Sequence, residues 1–338
     1  MKKQTITIYD IAQEAGVSTA TVSRVIAGNY PVSLKTREKV KKIIEKHDFS
    51  PNAIARSLSN KRSKVLGFIV PAITNNFFSQ VFIEVEKYAL DKGYSVLLGN
   101  TLHDRELESK YIRMLLDQQA EGIILLGGLI NDSIPNKKRV NELKEIEKKS
   151  KLVMINGKVD EMNSFSVRTD EGKGIEMMIE HLNEKGHEKI GIIGGIKGIT
   201  TTDIKIKAFN DTLKKMHLEV RPSWQIYSGY DIESGEKGLN CLYDINKEFP
   251  TAIIGINDMV AVGLIKGNSK TNKEIFTIVG FDNTDLSRST TPELTTISHP
   301  YQELGEKAIE MMDDDYRERG ERDILLKPEL IIRDSTLR

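Results

Sequence analysis

The sequence predicts an N-terminal all-α headpiece followed by a two-lobed α/β domain with doubly wound parallel sheets. Three observations support this prediction. Residues 8–27 have the spacing of two short helices around a tight turn. From residue 65 onward, strand-like apolar runs alternate with helical segments in two tandem series, as in doubly wound α/β lobes. The length of 338 residues exceeds that of a usual single domain.

Composition excludes several classes of protein. Hydrophobic residues make up 39% and charged residues 29% of the chain, which is typical of globular proteins. Residues 1–8 lack the apolar core of a signal peptide, and the longest apolar run, near residues 65–73, is too short to cross a bilayer. Cys241 is the sole cysteine, so no intrachain disulfide can form. We therefore expect a cytoplasmic protein without membrane attachment.

The net charge of zero conceals a strong asymmetry. Residues 1–64 hold 13 Lys and Arg against 5 Asp and Glu, a net charge of +8, and the remainder carries −8. A basic first segment on an acidic body is the distribution that nucleic-acid binding by that segment requires.

The headpiece elements follow from helix signals. Gly16 permits the positive φ of a tight turn, Ser18 is suited to cap the second helix, and Ser33 can cap a third helix over residues 34–46. The apolar residues of the first two helices recur at helical spacing, which predicts these buried positions: Ile8, Ile11, Ala12, Val22, Val25 and Ile26.

The second helix has the character of a recognition helix. Short polar side chains and an arginine remain near its start and on its open face, where they can meet base edges and phosphates in the major groove: Thr19, Ala20, Ser23 and Arg24. From residues 8–27 alone, an αα-hairpin that only packs a core is an equally good interpretation.

A short segment follows the headpiece at residues 51–63. Residues 52–58 have helical character, but so few residues do not hold a helix alone in water. We expect this segment to become ordered against a partner or on DNA. A plain linker is the alternative.

The remainder alternates between strands and helices. The predicted strands are 65–70, 94–100, 122–126, 152–156, 189–194, 225–228, 252–257 and 276–281. The predicted helices are 78–92, 105–119, 140–149, 174–185, 205–216, 233–246 and 259–266. The tail breaks this alternation, with an extended stretch at 294–300, a helix at 303–319 and a strand at 325–332. Such a tail can cross between the lobes and create a hinged cleft.

Short motifs along the whole chain resemble the LacI/GalR family of bacterial transcription regulators. They include Ile8–Ala12, Ala15–Ser18, Thr21–Arg24, Pro51–Leu58, Gly67–Pro71, Lys185–Ile190, Val279–Asn283 and Leu294–Ile297. The resemblance implies a helix-turn-helix headpiece at 1–50, a hinge helix and linker at 51–63, and a periplasmic-binding-protein-like effector domain at 64–338. Its first lobe would comprise about 64–165 and 297–324, and its second lobe about 166–296 and 325–338.

The resemblance also implies binding residues on double-stranded DNA. Base contacts fall to Thr19, Ala20 and Arg24. Phosphate contacts, which position the headpiece without selecting sequence, fall to Tyr9, Ser18, Thr21, Ser23 and Asn29. The hinge helix would enter the minor groove with Asn52, Ala55, Arg56 and Leu58, the leucine serving as a wedge that kinks the duplex. The family further implies a homodimer on a palindromic operator.

The implied effector is a small sugar or sugar phosphate. Its expected contacts are Phe77, Phe78, Asn156, Lys205, Tyr230, Asn257, Asp282 and Tyr301. For the aromatic residues the alternative is core packing, and for Asp282 it is helix capping. The family usually has Arg at the position of Lys205 and often Asp at that of Asn156. We infer that the pocket has one carboxylate fewer than is usual in the family, which favours a phosphorylated or acidic ligand.

Two readings of the function stay open at this stage. The chain is predicted to be an operon-specific repressor of carbohydrate metabolism genes. The alternative is a global carbon catabolite regulator whose corepressor is a phosphorylated phosphocarrier protein. Glu310 stands where such a regulator is expected to carry an arginine, which disfavours that alternative.

Other classes find little support. We find no P-loop, zincin or G-x-S-x-G motif, so we expect neither an enzyme nor a bound metal or cofactor. A sugar-transport binding protein is disfavoured by the helix-turn-helix pattern.

Overall fold

The computed structural model separates the chain into two compact units, Met1–Lys64 and Val65–Arg338. The described residues are 6–27, 31–47, 49, 63–134, 137–159, 161–162, 164–270, 276–318 and 321–337. Within these ranges, no helix combines the length and the apolar character needed to cross a membrane.

The first unit contains the three predicted helices. They are α1 (Ile8–Ala15), α2 (Thr19–Ala27) and α3 (Leu34–Lys46). Their apolar faces meet in one small core, formed by Ile11, Ala12, Ala15, Val22, Val25, Val40 and Ile43. Ile8 and Ile26, which were expected in this core, are half-buried at its edge.

Local hydrogen bonds set the ends of these helices. Thr7 and Asp10 form a reciprocal capping box at the start of α1, with Thr7 N donating to Asp10 Oδ2 over 2.8 Å. Gly16 ends α1 at a φ of 64°, a left-handed conformation that glycine adopts without steric cost. Thr21 N donates to Ser18 Oγ over 3.2 Å, so Ser18 caps α2 as predicted.

The second unit contains two six-stranded sheets, each in a lobe of its own. The first sheet has the strand order β11-β5-β4-β3-β1-β2 and is parallel throughout. The elements up to its fifth strand are β1 (Val65–Val70), α4 (Asn76–Asp91), β2 (Ser95–Asn100), α5 (Arg105–Asp117), β3 (Gly122–Leu126), α6 (Lys137–Lys149), β4 (Lys151–Ile155) and β5 (Phe165–Thr169). Apolar clusters cover both of its faces.

The second sheet has the order β12-β10-β9-β8-β6-β7, and only its β10–β12 pair is antiparallel. Its elements are α7 (Glu171–Glu184), β6 (Ile190–Ile193), α8 (Thr200–Lys215), β7 (Gln225–Ile226), α9 (Ile232–Ile245), β8 (Ala252–Gly255), α10 (Asp258–Ser269), β9 (Thr277–Asp282), α11 (Asp285–Arg288) and β10 (Thr296–Ser298). The tail adds α12 (Tyr301–Glu310), α13 (Asp314–Glu318), β11 (Asp323–Leu326) and β12 (Glu329–Ile331).

The chain passes between the lobes three times within the described residues. The passages follow β5, β10 and β11. Because α12 returns to pack on α4 and β11 pairs with β5, the tail completes the first lobe before β12 completes the second. The predicted doubly wound two-lobed fold is confirmed.

Several details of the sequence prediction differ from the structure. The single strand predicted at 325–332 is two strands in different sheets, interrupted at residues 327–328 where the chain crosses. The helix predicted at 303–319 is broken between α12 and α13. Strand β5 was not predicted, because its polar residues Ser166, Arg168 and Thr169 interrupt the apolar pattern; the first lobe therefore extends through Thr169.

The small headpiece core generates a stability prediction. Ile11→Ala removes a fully buried side chain, at a cost of about 2–5 kcal/mol, from a core of few residues. We expect the amides of the headpiece to lose their protection from hydrogen exchange while those of the second unit keep theirs. Hydrogen exchange on the full chain measures both units. Leu34→Ala, a substitution at an exposed position, is the control and should leave the hydrogen-exchange protection of the headpiece amides as it is in the wild type.

Candidate effector cavity and nucleic-acid interface

The predicted recognition residues lie at the start and on the open side of α2. Ala20 and Arg24 are exposed, and Thr19 is partly exposed. Tyr9, on α1, is 73% exposed although it is a large aromatic residue. An exposed tyrosine near exposed hydroxyl and cationic groups is suited to phosphate and base contacts. Ser18, Thr21 and Ser23 share this region, and Ser18 Oγ and Thr21 Oγ1 are 2.9 Å apart.

Some predicted DNA contacts lie outside the described residues. They are Asn29, in the predicted loop after α2, and the hinge-helix positions Asn52, Ala55, Arg56 and Leu58. These assignments stay predictions.

A cavity of about 720 Å³ lies between the two lobes of the second unit. This volume is within the range of about 300–1,000 Å³ that small-molecule sites occupy. Its walls contain the carboxyl ends of strands from both sheets, where open α/β folds bind ligands. Seven of the eight predicted effector residues line it: Phe77, Phe78, Asn156, Lys205, Tyr230, Asn257 and Asp282.

The first lobe contributes unpaired polar groups to the cavity. Asn156 accepts a hydrogen bond from Thr169 N over 2.7 Å through its Oδ1, but its buried Nδ2 has no partner among the described residues. Asn131, another lining residue, has a buried Oδ1 that is likewise without a partner in the described part of the chain. A buried polar atom without a partner costs free energy. Asn131 and Asn156 therefore bring amide groups that the described residues do not fully satisfy to the wall of the cavity.

Lys205 is paired with a carboxyl group inside the protein. Its Nζ lies 3.6 Å from Glu171 Oε1, donates to Ile256 O over 3.1 Å and stands 3.7 Å above the ring of Phe281. Burial raises the pKa of Glu171, and Lys205 opposes that rise. Glu171 supplies a carboxyl group beside the lysine, which the sequence analysis did not anticipate.

The second lobe uses two of its predicted residues mainly for its own structure. Asn257 caps α10, with Val260 N donating to its Oδ1 over 2.9 Å, and its Nδ2 donates to Tyr230 O over 2.9 Å. The hydroxyl of Tyr230 lies 2.6 Å from Thr202 Oγ1. Both residues also line the cavity and shape its wall.

Asp282 is almost fully buried and does not cap a helix. Its Oδ1 lies 3.2 Å from His299 Nε2. Burial raises the pKa of Asp282 to about 7, and the nearby Lys205 works against this rise. Tyr301, the eighth predicted effector residue, does not line the cavity; instead its hydroxyl donates to the carbonyl oxygen of Asp282 over 2.6 Å.

Glu108 is a lining residue that the sequence did not single out. It belongs to the first lobe, is 3% exposed, and accepts a hydrogen bond from Leu129 N over 3.1 Å. Burial raises its pKa to about 7, and the hydrogen bond from Leu129 N and the charge of Arg139 only partly oppose this rise. It carries no recognisable motif and reaches the cavity through the packing of α5 against the turn at residues 128–131.

Two further lining residues were missed, Glu171 and His299. Glu171 directly follows β5, so recognising that strand would have placed it at a strand end. His299 gives no such signal, because it lies between a strand and a helix of different lobes. Among the described residues, no cluster of three His, Cys, Asp or Glu side chains could hold a metal ion.

The two lobes also meet directly at one edge of the cavity. Asp132 and Ile199, both lining residues, form an antiparallel backbone bridge. Ser133 N donates to Gly198 O over 2.9 Å, and Ser133 Oγ donates to Asp203 Oδ2. Arg105 binds Asp132 over 2.7 Å and thereby anchors the bridge to the start of α5.

Comparison with known proteins agrees with this architecture. Residues 7–52 match the bacterial regulatory proteins of the lacI family, and residues 179–336 match the periplasmic binding protein-like domain. The ribose operon repressor of Haemophilus influenzae is 30% identical over 97% of this chain and 98% of its own length. The chain belongs to the LacI family of bacterial regulatory proteins. It is therefore a DNA-binding transcriptional regulator and not an enzyme.

Two other LacI-family proteins extend the comparison. Catabolite control protein A of Staphylococcus xylosus is 32% identical over 91% of this chain and 92% of its own. The crystal structure of a lac repressor dimer bound to operator and an anti-inducer has a TM-score of 0.86, with 24% identity, over 99% of this chain and 100% of that one. The likeness to the lac repressor structure confirms the fold. The ribose operon repressor and catabolite control protein A are about equally similar to this chain, so sequence identity does not favour the function of either.

The raised pKa of Glu108 predicts a pH dependence of stability. Its pKa is about 7 in the folded regulator and 4.5 ordinarily. Between these values the folded state binds more protons than the unfolded state, so stability falls as pH rises. Glu108→Gln should reduce this fall between pH 4.5 and 8 by up to about 3 kcal/mol in urea titrations. The exposed Glu106→Gln is the matched control and should keep the wild-type slope.

The direct contact between the lobes predicts an effect on ligand affinity. Ser133→Ala removes the side-chain bond to Asp203 without altering a cavity-lining residue. Because such a bond is worth about 0.5–1.5 kcal/mol, we expect calorimetry to give a twofold to tenfold weaker affinity for a cavity ligand. Ser269→Ala, which removes an exposed hydrogen bond within α10, should leave the affinity unchanged. Equal affinities in all three proteins would contradict this prediction.

Proposed function

We propose that the chain is an operon-specific repressor of carbohydrate metabolism genes whose operator affinity is set by an uncharged sugar in the interlobe cavity. The observation that carries this proposal is the polar arrangement of the cavity. Asn131 and Asn156, each with a buried amide atom that has no hydrogen-bond partner among the described residues, line a cavity bordered by the rings of Phe77, Phe78 and Tyr230. Amide groups bind hydroxyls, and aromatic rings cover the apolar faces of a sugar ring.

The charges of the cavity favour an uncharged ligand over a sugar phosphate. Among the described lining residues, the Arg and Lys side chains are both paired, Arg105 with Asp132 and Lys205 with Glu171. The carboxyl group of Asp231 adds negative charge, and those of Glu108 and Asp282, with pKa values raised to about 7 by burial, are only partly ionised near neutral pH. A phosphate would have to approach these carboxyls and compete for cations that are already neutralised.

The global catabolite regulator is the less favoured alternative. Glu310, at the end of α12, lies 2.8 Å from Lys307 in an ion pair. This surface presents a paired carboxylate where a phosphoserine would need a cation. The exposed face of the first lobe instead supports self-association. Large apolar side chains are exposed on α4, on the edge strand β2 and on α5, namely Ile83, Leu90, Leu97, Leu98 and Met114.

We therefore propose a cytoplasmic homodimer that binds a palindromic operator. In this arrangement Thr19, Ala20 and Arg24 contact bases. Tyr9, Ser18, Thr21, Ser23 and Asn29 contact phosphates. Asn52, Ala55, Arg56 and Leu58 belong to a hinge helix in the minor groove. Two-fold symmetry of the protein would be matched by two-fold symmetry of the DNA.

The experiment is a titration of operator affinity with defined sugars. Binding to DNA from upstream of the chain's own gene is measured by fluorescence anisotropy. The measurement is repeated in the presence of D-ribose, D-xylose, D-glucose, D-galactose or one of their phosphate esters. We expect a neutral sugar to change the operator affinity and to bind in calorimetry. Tight binding of only the phosphate esters would refute the uncharged effector. An affinity that no sugar changes would refute the carbohydrate assignment.

Arg24 provides the test of the recognition helix. Arg24→Ala should remove about 1–3 kcal/mol of preference for the operator over unrelated DNA, because a side chain that contacts bases is lost. Sugar binding should be unchanged. The exposed Lys35→Ala on α3 removes the same charge and should weaken binding to both DNAs alike. An operator preference that survives in Arg24→Ala would place base recognition elsewhere.

A further inference from the structure

His299 joins the two lobes through its ring nitrogens. It lies on the passage from β10, in the second sheet, to α12, on the first lobe. Its Nδ1 is 2.8 Å from the hydroxyl of Thr169, and its Nε2 is 3.2 Å from Asp282 Oδ1. Thr169 ends β5 of the first sheet and Asp282 ends β9 of the second. One side chain therefore connects the last residues of two strands in different lobes.

The ring is neutral, so its hydrogen bonds have a direction. Burial lowers the pKa of His299 to about 3, while Glu171 opposes this effect and Lys205 adds to it. A neutral imidazole has one donor and one acceptor nitrogen. When Asp282 is ionised, Nε2–H must donate to it, and Nδ1 must then accept from the Thr169 hydroxyl. The threonine thus selects the tautomer that can bind the carboxylate.

Packing fixes the orientation of this ring. The centroids of the Phe77, Phe281 and Tyr301 rings lie 4.6, 5.3 and 5.7 Å from its own. Tyr301, two residues further along the same passage, donates its hydroxyl to the carbonyl oxygen of Asp282. The passage between the lobes consequently holds Asp282 at two points, its carboxylate and its backbone. A rotation of the lobes about this passage must change at least one of these contacts.

We propose that the contacts of His299 with Thr169 and with Asp282 hold the ligand-facing carboxylate of Asp282 in position. Through the same contacts, ligand binding at this carboxylate changes the angle between the lobes. This inference rests on the proposed effector function of the cavity. A ligand hydroxyl that binds Asp282 competes with His299 for the same carboxylate. The first lobe senses the change through Thr169. His299 and Thr169 act as positioning residues, whereas Asp282 meets the ligand.

A second buried histidine–threonine pair in the chain is a matched control. His181 Nε2 lies 2.8 Å from Thr336 Oγ1, and both residues are buried. Neither of them lines the cavity, and both belong to the second lobe. If His299 and Thr169 only satisfied buried polar groups, substitutions in the two pairs would have the same kinds of effect.

The experiment compares Thr169→Val with Thr336→Val in the full-length protein. The sugar is whichever of D-ribose, D-xylose, D-glucose and D-galactose raises the melting temperature most. The operator affinity is measured with and without this sugar, and the ratio of the two affinities measures the coupling between the sugar site and the DNA site. We expect Thr169→Val to reduce this ratio at least threefold while the sugar affinity changes less, and Thr336→Val to preserve the ratio. Thr169→Ser, which keeps the hydroxyl, should restore it.

An unchanged ratio in Thr169→Val would overturn the proposal, as would an equal loss in Thr336→Val. A second measurement does not depend on any sugar. Nitrogen-15 NMR of the histidine side chains should show His299 as the Nε2–H tautomer in the wild type and a mixture of tautomers in Thr169→Val. If none of the sugars binds the wild type, the proposed effector function fails, and this spectrum alone decides whether Thr169 positions the ring. An identical spectrum in both proteins would refute the positioning role.

Discussion

The chain must cross from one sheet to the other after β5, after β10 and after β11, and these crossings determine where the polar groups of the cavity stand. Each crossing leaves the carboxyl end of a strand next to the other lobe. Thr169, Asp282 and His299 are close together, although Thr169 and His299 are more than one hundred residues apart along the chain. A ligand bound between the lobes touches the segments about which the lobes can turn.

The buried charges follow from the same constraint. Enclosing a lysine and several carboxyl groups in a cavity is costly unless they are paired or neutral. The regulator meets this requirement by pairing Lys205 with Glu171 and by holding Glu108 and Asp282 where their pKa values are about 7. The cations are therefore already engaged before any ligand arrives. This pairing is the basis for proposing an uncharged effector, although Lys205 viewed alone suggested a phosphorylated or acidic one.

The headpiece solves a different physical problem. Among the described residues of the headpiece, seven buried apolar side chains form its core, so helix caps contribute a large share of its stability. The core uses only the inner faces of the helices, which leaves the start and the open side of α2 available to DNA. A small, locally specified module and a large, two-lobed sensor thus occur in one chain, as the LacI family requires.

The sequence by itself determined the short N-terminal helices and the doubly wound lobes, because these depend on local periodicity and caps that short segments carry. Its motifs resemble the LacI/GalR family, and that resemblance implied the helix-turn-helix and seven of the residues that line the cavity. The alternation of apolar runs was sufficient for the strands that are buried on both faces, but not for β5, whose polar residues hide it. Only the tertiary structure revealed Glu108, Glu171 and His299 in the cavity and removed Tyr301 from its wall. Those placements depend on tertiary packing, namely how distant strand ends meet at the crossings and how α5 packs on the turn at residues 128–131, and no local pattern encodes the distance between residues such as Thr169 and His299.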